Sequence, residues 1–499
     1  MKTFTIKSPR VKETTEEVVA EYHHRSQQLT LNDQGEWEVS AREIPFTLKT
    51  TKRVSKLGVM IVGIGGSNGT TLIGGILANR ENIAWQTRRG LQHPNYYGSY
   101  TQSSCIDLGG GHYVPFKDLI SMVDPNHIVF SGWDLNDKNL ADAMREAKVL
   151  EPTLIDQLVP FMQALTPLPG VFIPDYIANN QSPNINHCLT GTLSTMLGKL
   201  RENIREFKEK HQLDKVIVFW SGNTERSITL TQGIHDTPEH LLKAIENDSP
   251  LISPSTLYAV AAVLEGCSYI NGSPQNTFVP GLIPLAEEKG VTLAGDDLKT
   301  GQTRYKSVIV DFLISVGIKP MSIVSYNHLG NNDGKNLSEN SQLKSKEISK
   351  LSVIEDAILS NPLLYAPNER PDHTVVIKYV PYVGDSKRAI DEYISEIFLG
   401  HQSIISVYNV CEDALLAAPI MLDLILLTEL FERIRWKGPE QDHFARFPTL
   451  NPFLSLFFKA PRYSTHRSHP VNVLYKQRMA IENLVRICVG LAPEDFLYF

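Results

Sequence analysis

Apolar and polar positions along this chain follow two rhythms. From Leu57 to about residue 300, short apolar runs rich in β-branched residues lead into polar or glycine-rich turns, and helical patterns follow. Leu57-Gly58-Val59-Met60-Ile61-Val62 runs into Gly63-Ile64-Gly65-Gly66-Ser67-Asn68-Gly69, after which Leu72, Ile73, Ile76 and Leu77 recur at helical spacing. His127-Ile128-Val129-Phe130 ends in Ser131-Gly132-Trp133-Asp134. Thr195–Gln212 reads as an amphipathic helix with Ile204 and Phe207 inward and its charges on a solvated face. The strand Val216–Trp220 ends at Ser221-Gly222-Asn223-Thr224-Glu225-Arg226, and the helix Ser253–Glu265 runs into Cys267–Ile270. This repetition predicts an α/β fold with a parallel, doubly wound sheet.

Elsewhere the texture differs. Residues 1–56 mix charge with alternation and predict a few strands or an arm. Ser307–Val316 reads as a helix and Met321–Val324 as a short strand. Thr374–Tyr379 and Ser403–Tyr408 alternate like strands with one face packed inward, and Ala389–Leu399 between them reads as a helix. Helices return from Asp413 to Trp436, and Val473-Leu474-Tyr475-Lys476-Gln477-Arg478 opens a last helix to Val489.

Composition narrows the class. With 499 residues, 42% apolar and 21% charged, the chain can fill two or more packed domains. Its net charge of −7, with no strongly basic block, argues against nucleic-acid binding. The first residues lack the apolar core of a secretory signal. The most apolar stretch, Ala414–Phe431, carries Pro419, Asp423 and Glu429; it falls short of a membrane span and reads as a buried helix. Five cysteines with no C-x-x-C spacing argue against a disulfide framework or a cysteine-based metal site, and a reducing compartment fits.

Candidate chemistry concentrates in two places. Strand, glycine loop and helix from Leu57 onward is the order a dinucleotide site needs, because glycines let a pyrophosphate approach the backbone at a helix start. The loop is G-x-G-G-x-N-G rather than G-x-G-x-x-G, and no Asp or Glu lies between Glu81 and Asp107, where a ribose-binding carboxylate usually sits. Asp134, closing a strand on the ligand side of such a sheet, is the better ribose candidate; it equally suits the N-cap of a helix Asn136–Ala147, and both roles are compatible. The second place is Gly295–Lys350. Asp296-Asp297-Leu298-Lys299-Thr300-Gly301-Gln302-Thr303 opens a helix, and free N–H groups there suit an anion such as phosphate. Ser325-Tyr326-Asn327-His328-Leu329-Gly330-Asn331-Asn332-Asp333-Gly334 is an amide-rich loop after a strand, able to donate to and accept from sugar hydroxyls or a cofactor. Lys346 and Lys350, four apart, share a face if helical. Singly, these also read as an ordinary cap, a turn and a solvated face. His328 has no second ligand at metal-binding spacing, so no metal site is expected.

The blocks DDLKTGQT, SYNHLGNNDG and SKEISK, with NGSPQNTFVPG, LADAMREAKVL, PLPG and FIPDYIANNQ, resemble the myo-inositol-1-phosphate synthase family of eukaryotic type over most of the chain. Three departures stand out. Ser67 replaces the first Asn of the family's G-x-G-G-N-N-G loop, Ser221-Gly222 stands for Thr-Ala, and Asn184 occupies a position where an Arg is common. The resemblance implies an arm at 1–56, an NAD-binding Rossmann-like domain at 57–302, an inserted α+β catalytic and tetramerisation domain at 303–415, and C-terminal helices returning at 416–499. It implies NAD contacts from Gly63, Gly65, Gly66, Ser67, Asn68, Asp134, Gln181, Ser221, Gly222, Asn223, Thr224, Gly272, Ser273, Asp297, Asn331, Asn332, Asp333, Gly384, Asp385 and Asp413.

The activity implied is conversion of D-glucose 6-phosphate to 1D-myo-inositol 3-phosphate, the first step of inositol and so of inositol-phospholipid biosynthesis. It proceeds by oxidation at C5, enolisation at C6, ring closure onto C1 and reduction at C5. Such chemistry needs a base at O5 and positive charge at a developing enolate. The resemblance assigns Lys346 and Lys387 to acid/base work and enolate stabilisation at C5, and Lys476 to the aldehyde oxygen. Asp297 would orient a lysine, while Thr300, Gly301, Gln302, Thr303 and Lys350 would hold the phosphate. It further implies a cytoplasmic homotetramer without nucleic-acid or membrane partners. An NAD-dependent sugar-phosphate dehydrogenase that releases NADH is the alternative.

Overall fold

The computed structural model describes residues 4–460 and 472–496. Its centre is a six-stranded, wholly parallel sheet. The strands lie in the order Leu168–Pro169, Val129–Asp134, Leu57–Val62, Lys215–Trp220, Ser268–Asn271, Leu293–Gly295. Numbered along the chain, that order is 3-2-1-4-5-6, the doubly wound arrangement whose direction reverses between the first and fourth strands. Leu57–Val62 is buried at every position, as a strand covered on both faces must be.

Each face has its own core. One packs the helix Ser67–Arg80 against Asp413–Glu432 and Leu474–Cys488; the other packs Leu193–Lys210, Pro254–Leu264 and Leu282–Lys289. Asp413–Glu432 is long and apolar enough, by length and composition, to cross a membrane, contrary to the sequence expectation. Its position assigns it to the core instead, since most of its residues are buried. Its two buried carboxylates are engaged. Asp423 accepts hydrogen bonds from Ser99 and Thr101 and from the Tyr100 N–H, and Glu429 accepts from Ser55 and Arg433.

A second, mixed sheet follows in the order Asp372–Tyr379, Lys319–Leu329, Ser386–Glu396, Gln402–Glu412; the first pair is parallel and the others antiparallel. The helix Gly301–Ser315 lies across its inner face over a small core of Val310, Leu313, Ile314, Ile323 and Tyr393. Residues 389–399, expected to be helical, are mostly strand. The true alternation is inverted in chemistry: Ala389, Asp391, Tyr393 and Ser395 turn inward while Ile390 and Glu392 face out. An inward aspartate and an outward isoleucine erase the period-two signal. The strand after Gly317 is likewise longer than expected, taking in Ser325 and Asn327. Residues 17–51 form a long antiparallel hairpin, Glu17–Leu31 with Trp37–Thr51, to which Ile434–Lys437 adds a strand.

Candidate active site

At the switch point the loops after the first and fourth strands almost touch. Gly63 has φ +80°, and a Cβ there would stand 2.7 Å from Gly222 Cα, so only glycine allows this approach. Gly66 precedes the helix Ser67–Arg80, and no side chain caps it. Its first-turn N–H groups therefore face whatever binds in front of them, as a pyrophosphate seat requires. Asp134 closes its strand and accepts from Gly65 N at 2.8 Å and Asn136 N at 3.1 Å. It does not cap a helix; the helix runs Leu140–Ala147 and Asn139 caps it. Burial raises the Asp134 pKa.

From this crevice a ladder of polar contacts leads outward. Ser273 Oγ donates to Gly222 O at 3.1 Å, Asn223 donates to Gln181 Oε1 at 3.1 Å, and Asn332 donates to Asn223 Oδ1 at 3.3 Å. The Thr224 N–H donates to Asp333 at 3.0 Å. Asp333 stands 3.9 Å from Lys346 Nζ.

There the charged cluster begins. The helix Asn340–Leu351 carries Lys346 and Lys350 on one face. Lys346 donates to Asp297 Oδ1 at 2.9 Å, and Lys459 donates to the other oxygen of the same carboxylate. Lys387, opening its strand, donates to Asp413 at 3.2 Å. Asp385 accepts from Asn331 at 3.2 Å and from Ala414 N at 2.8 Å. Burial works against the Asp297 anion, yet Lys346 and Lys459 outweigh it and hold the carboxyl at about 2. Burial also opposes the Lys346 charge, but Asp297 and Asp333 lift it above the usual lysine range. Burial, opposed in part by Asp297 and reinforced by Lys346 and Lys387, pushes Lys459 down to about 8. Lys350 lies well below the usual value, through burial first and then Lys387, Lys459, Lys306 and Lys346. Burial, then Asp413, raises Asp385 to about 6. The cluster thus holds charged and readily deprotonated amines side by side.

Beside it the helix Gly301–Ser315 begins after Thr300 without a side-chain cap. Gly301 has φ +35°, and a Cβ there would meet Cys411 Sγ at 3.3 Å and Asn409 Oδ1 at 3.6 Å. Gln302 accepts from Lys350 at 3.4 Å and donates to Asp391 at 2.8 Å. Both polar atoms of Asn327, with Ser325 Oγ and Asn409 Oδ1, are buried without a hydrogen-bond partner among the described residues. Asn327 and Asn409 flank Ala389 across the sheet. Buried amides left unpaired are expensive, so this row fits a polyhydroxyl or phosphate ligand that completes them.

The structure gathers Lys346, Lys350, Lys387, Asp297, Asp333, Asp385 and Asp413 with the Thr300–Thr303 turn. It does not gather Lys476. That residue is exposed on the helix Leu474–Cys488, and no interaction among the described residues ties it to the cluster; its neighbour Gln477 turns inward to Lys299 instead. The lysine from the C-terminal region is Lys459. Lys459 N donates to Asp297 O, and Lys299 N donates to Phe457 O, so the two segments run as a paired ribbon. A lone lysine directly after the largely apolar run Leu454–Phe458 is the available signal. Asn327 was passed over as one amide within a polar block.

A profile of the family described as Myo-inositol-1-phosphate synthase matches residues 57–486. An inositol-3-phosphate synthase of Dictyostelium discoideum is 52% identical over 497 residues, covering 99% of this chain and 97% of that protein. Inositol-3-phosphate synthase 1 of Populus euphratica is 52% identical over 499 residues, covering 99% and 98%. The crystal structure of inositol-3-phosphate synthase from Caenorhabditis elegans superposes with a TM-score of 0.96 at 44% identity, covering 99% of this chain and 97% of that one.

Proposed function

The chain belongs to the myo-inositol-1-phosphate synthase family, whose model is an NAD-binding one, and we propose that it cyclises D-glucose 6-phosphate to 1D-myo-inositol 3-phosphate. The observation that carries this reading is the group of four lysines, Lys350 and Lys459 buried and Lys346 and Lys387 partly so, at the outer end of a crevice that starts at a capless glycine-loop helix.

The crevice residues fit NAD. Gly63, Gly65 and Gly66 leave room for a pyrophosphate, Ser67 and Asn68 open the helix behind it, and Asp134 would hold a ribose. Gln181, Ser221, Gly222, Asn223, Thr224, Gly272, Ser273, Asn331, Asn332, Gly384 and Asp385 line the way to the nicotinamide end. Bound there, NAD would supply the acceptor and later the donor of the C5 hydride.

The remaining chemistry falls to side chains. Thr300, Gly301, Gln302 and Thr303 with Lys350 hold the phosphate, assisted by Asn327. Lys346 and Lys387, each tied to an aspartate, serve the C5 oxygen: one amine moves its proton, and the paired charge steadies the enolate once C6 loses its hydrogen. The substrate's own phosphate is the base at C6. Lys459 takes the place expected for Lys476 and polarises the C1 aldehyde oxygen as the new bond forms. Asp297 and Asp413 orient these amines.

In this reading 57–302 is the cofactor domain, 303–415 the catalytic and assembly domain, 416–499 the returning helices and 1–56 an arm. The outward face of the second sheet bears Tyr326, Ile390, Ile404, Tyr408 and Val410, all exposed. An apolar sheet face of this kind suits a homotetramer, checked by light scattering. The cytoplasm fits five cysteines that are all free. Purified protein, NAD and glucose 6-phosphate should yield inositol phosphate with no net change at the NADH absorbance band. A steady rise in that band without inositol phosphate overturns cyclisation in favour of a dehydrogenase.

A further inference from the structure

Lys299 is wholly buried, yet the chemistry described above gives it no task. Its Nζ donates to two amide oxygens, Asn472 Oδ1 at 2.5 Å and Gln477 Oε1 at 3.4 Å. The amides pass the constraint on. Asn472 Nδ2 donates to the Lys459 carbonyl at 2.6 Å, and Gln477 Nε2 donates to the Ser455 carbonyl and to Asn472 Oδ1, both at 3.1 Å. The Lys299 N–H donates to the carbonyl between them, that of Phe457, at 2.8 Å. Three alternate carbonyls of the segment ending in Lys459 are thus tied to one residue, two through its side chain and one through its backbone.

We propose that Lys299 is a positioning residue: by orienting Asn472 and Gln477 it fixes the segment 455–459 and so delivers Lys459 to Asp297. The loss of rate expected from its removal rests on the cyclase reading above.

An ammonium only donates and a carbonyl only accepts. Each amide between them therefore has one permitted orientation, oxygen toward Lys299 and nitrogen toward the segment. An apolar side chain at 299 would fill the space but leave both amides free to turn. A lysine whose Nζ meets amide oxygens rather than a carboxylate is costly to bury, and direction is what that burial secures. The segment is held from its other side as well. Lys459 N donates to Asp297 O at 2.9 Å, and Ala460 N donates to Asp296 Oδ2 at 2.7 Å. Asp296 also accepts from Ser349 at 3.2 Å, on the helix that carries Lys346 and Lys350. With both sides fixed, Lys459 Nζ meets the Asp297 oxygen that Lys346 leaves free.

The test uses the full-length enzyme with Lys299→Met and Asn472→Asp. The second keeps the acceptor for Lys299 and removes the N–H given to the Lys459 carbonyl, so it answers alone if Met does not fold. Either change should lower kcat for inositol phosphate formation about 10²-fold, because Lys459 acts on a reacting oxygen and a displacement of roughly 1 Å is enough. KM for glucose 6-phosphate should stay within about twofold, since other residues hold the phosphate. Competitive acetic anhydride labelling, read by peptide mass spectrometry, requires no turnover. The Lys459 amine should react at least about threefold faster, while Lys306, buried to a similar degree and bonded to His373, should not change. An unchanged kcat or an unmoved Lys459 rate in a folded variant overturns the proposal. So does an equal rise in labelling at Lys306, the mark of general loosening, or a rise in KM larger than the fall in kcat. Absence of inositol phosphate from the unaltered enzyme would sink the cyclase reading, while the labelling contrast would still stand.

Discussion

The two ends of the crevice are built on opposite plans. The glycine-loop end is backbone: three glycines and a helix start within Gly63–Asn68, with one carboxylate, Asp134, bracing the turn. The lysine end is side chain. Its charges arrive from Asp297, Lys346, Lys387, Asp413 and Lys459, segments up to 162 residues apart. A pyrophosphate needs a fixed cradle of N–H dipoles, and a short local motif supplies one. Proton transfers and a transient enolate need amines in different protonation states, and those states arise only where several charges are buried together. The comparison predicts where substitutions do most harm.

The largest effect should come from the charged end. Lys346→Met removes an amine assigned to the C5 oxygen, and kcat should fall about 10²–10⁴-fold. Near-normal turnover in that variant would remove Lys346 from the chemistry.

Asp297→Asn should cost stability as well as rate. It leaves the buried ammoniums of Lys346 and Lys459 without their shared counter-ion, a loss of about 3–5 kcal/mol read from urea unfolding. The pH dependence has a definite sign. The folded Asp297 pKa of about 2 lies below the unfolded value of about 3.9, so its stabilisation is complete above about pH 4 and lost as pH falls toward 2. The Asn variant should lack that part of the acid limb; an unchanged limb would mean that the carboxylate holds no such pair.

At the backbone end the damage should be smaller and confined to cofactor affinity. In Gly65→Ala the added Cβ would stand 3.0 Å from Asp134 Oδ2. Overpacking of about 1–3 kcal/mol should weaken NAD binding roughly tenfold in calorimetric titration, with kcat at saturating NAD little changed. A fall in kcat with unchanged affinity would reverse the contrast between the two ends. The smallest effect should be that of Lys476→Met, exposed on its helix; a kcat change beyond about twofold would return it to the site.

Much of this was legible in the sequence because it is local. The strand-loop-helix order from Leu57, the repeated rhythm behind it and the helix at Thr300–Thr303 all follow from neighbouring residues, and neighbours set periodicity and turn chemistry. The pairing of Lys346 with Lys350 follows from helical spacing alone. What misled was chemistry turned inside out. Asp391 and Asn327 point inward on the second sheet, so its polar interior disguised one strand as a helix and shortened another.

The choice between Lys476 and Lys459 belonged to the tertiary structure. Both sit near apolar residues, but only Lys459 runs in a ribbon beside Asp297, and that backbone pairing joins segments far apart in the chain. The protonation states are tertiary for the same reason. Lys346 and Lys350 share a helix and a residue type, yet three aspartates raise one while burial and four other lysines lower the other. Charge interactions and desolvation depend on distances in space, which sequence spacing leaves open until the chain has closed on itself.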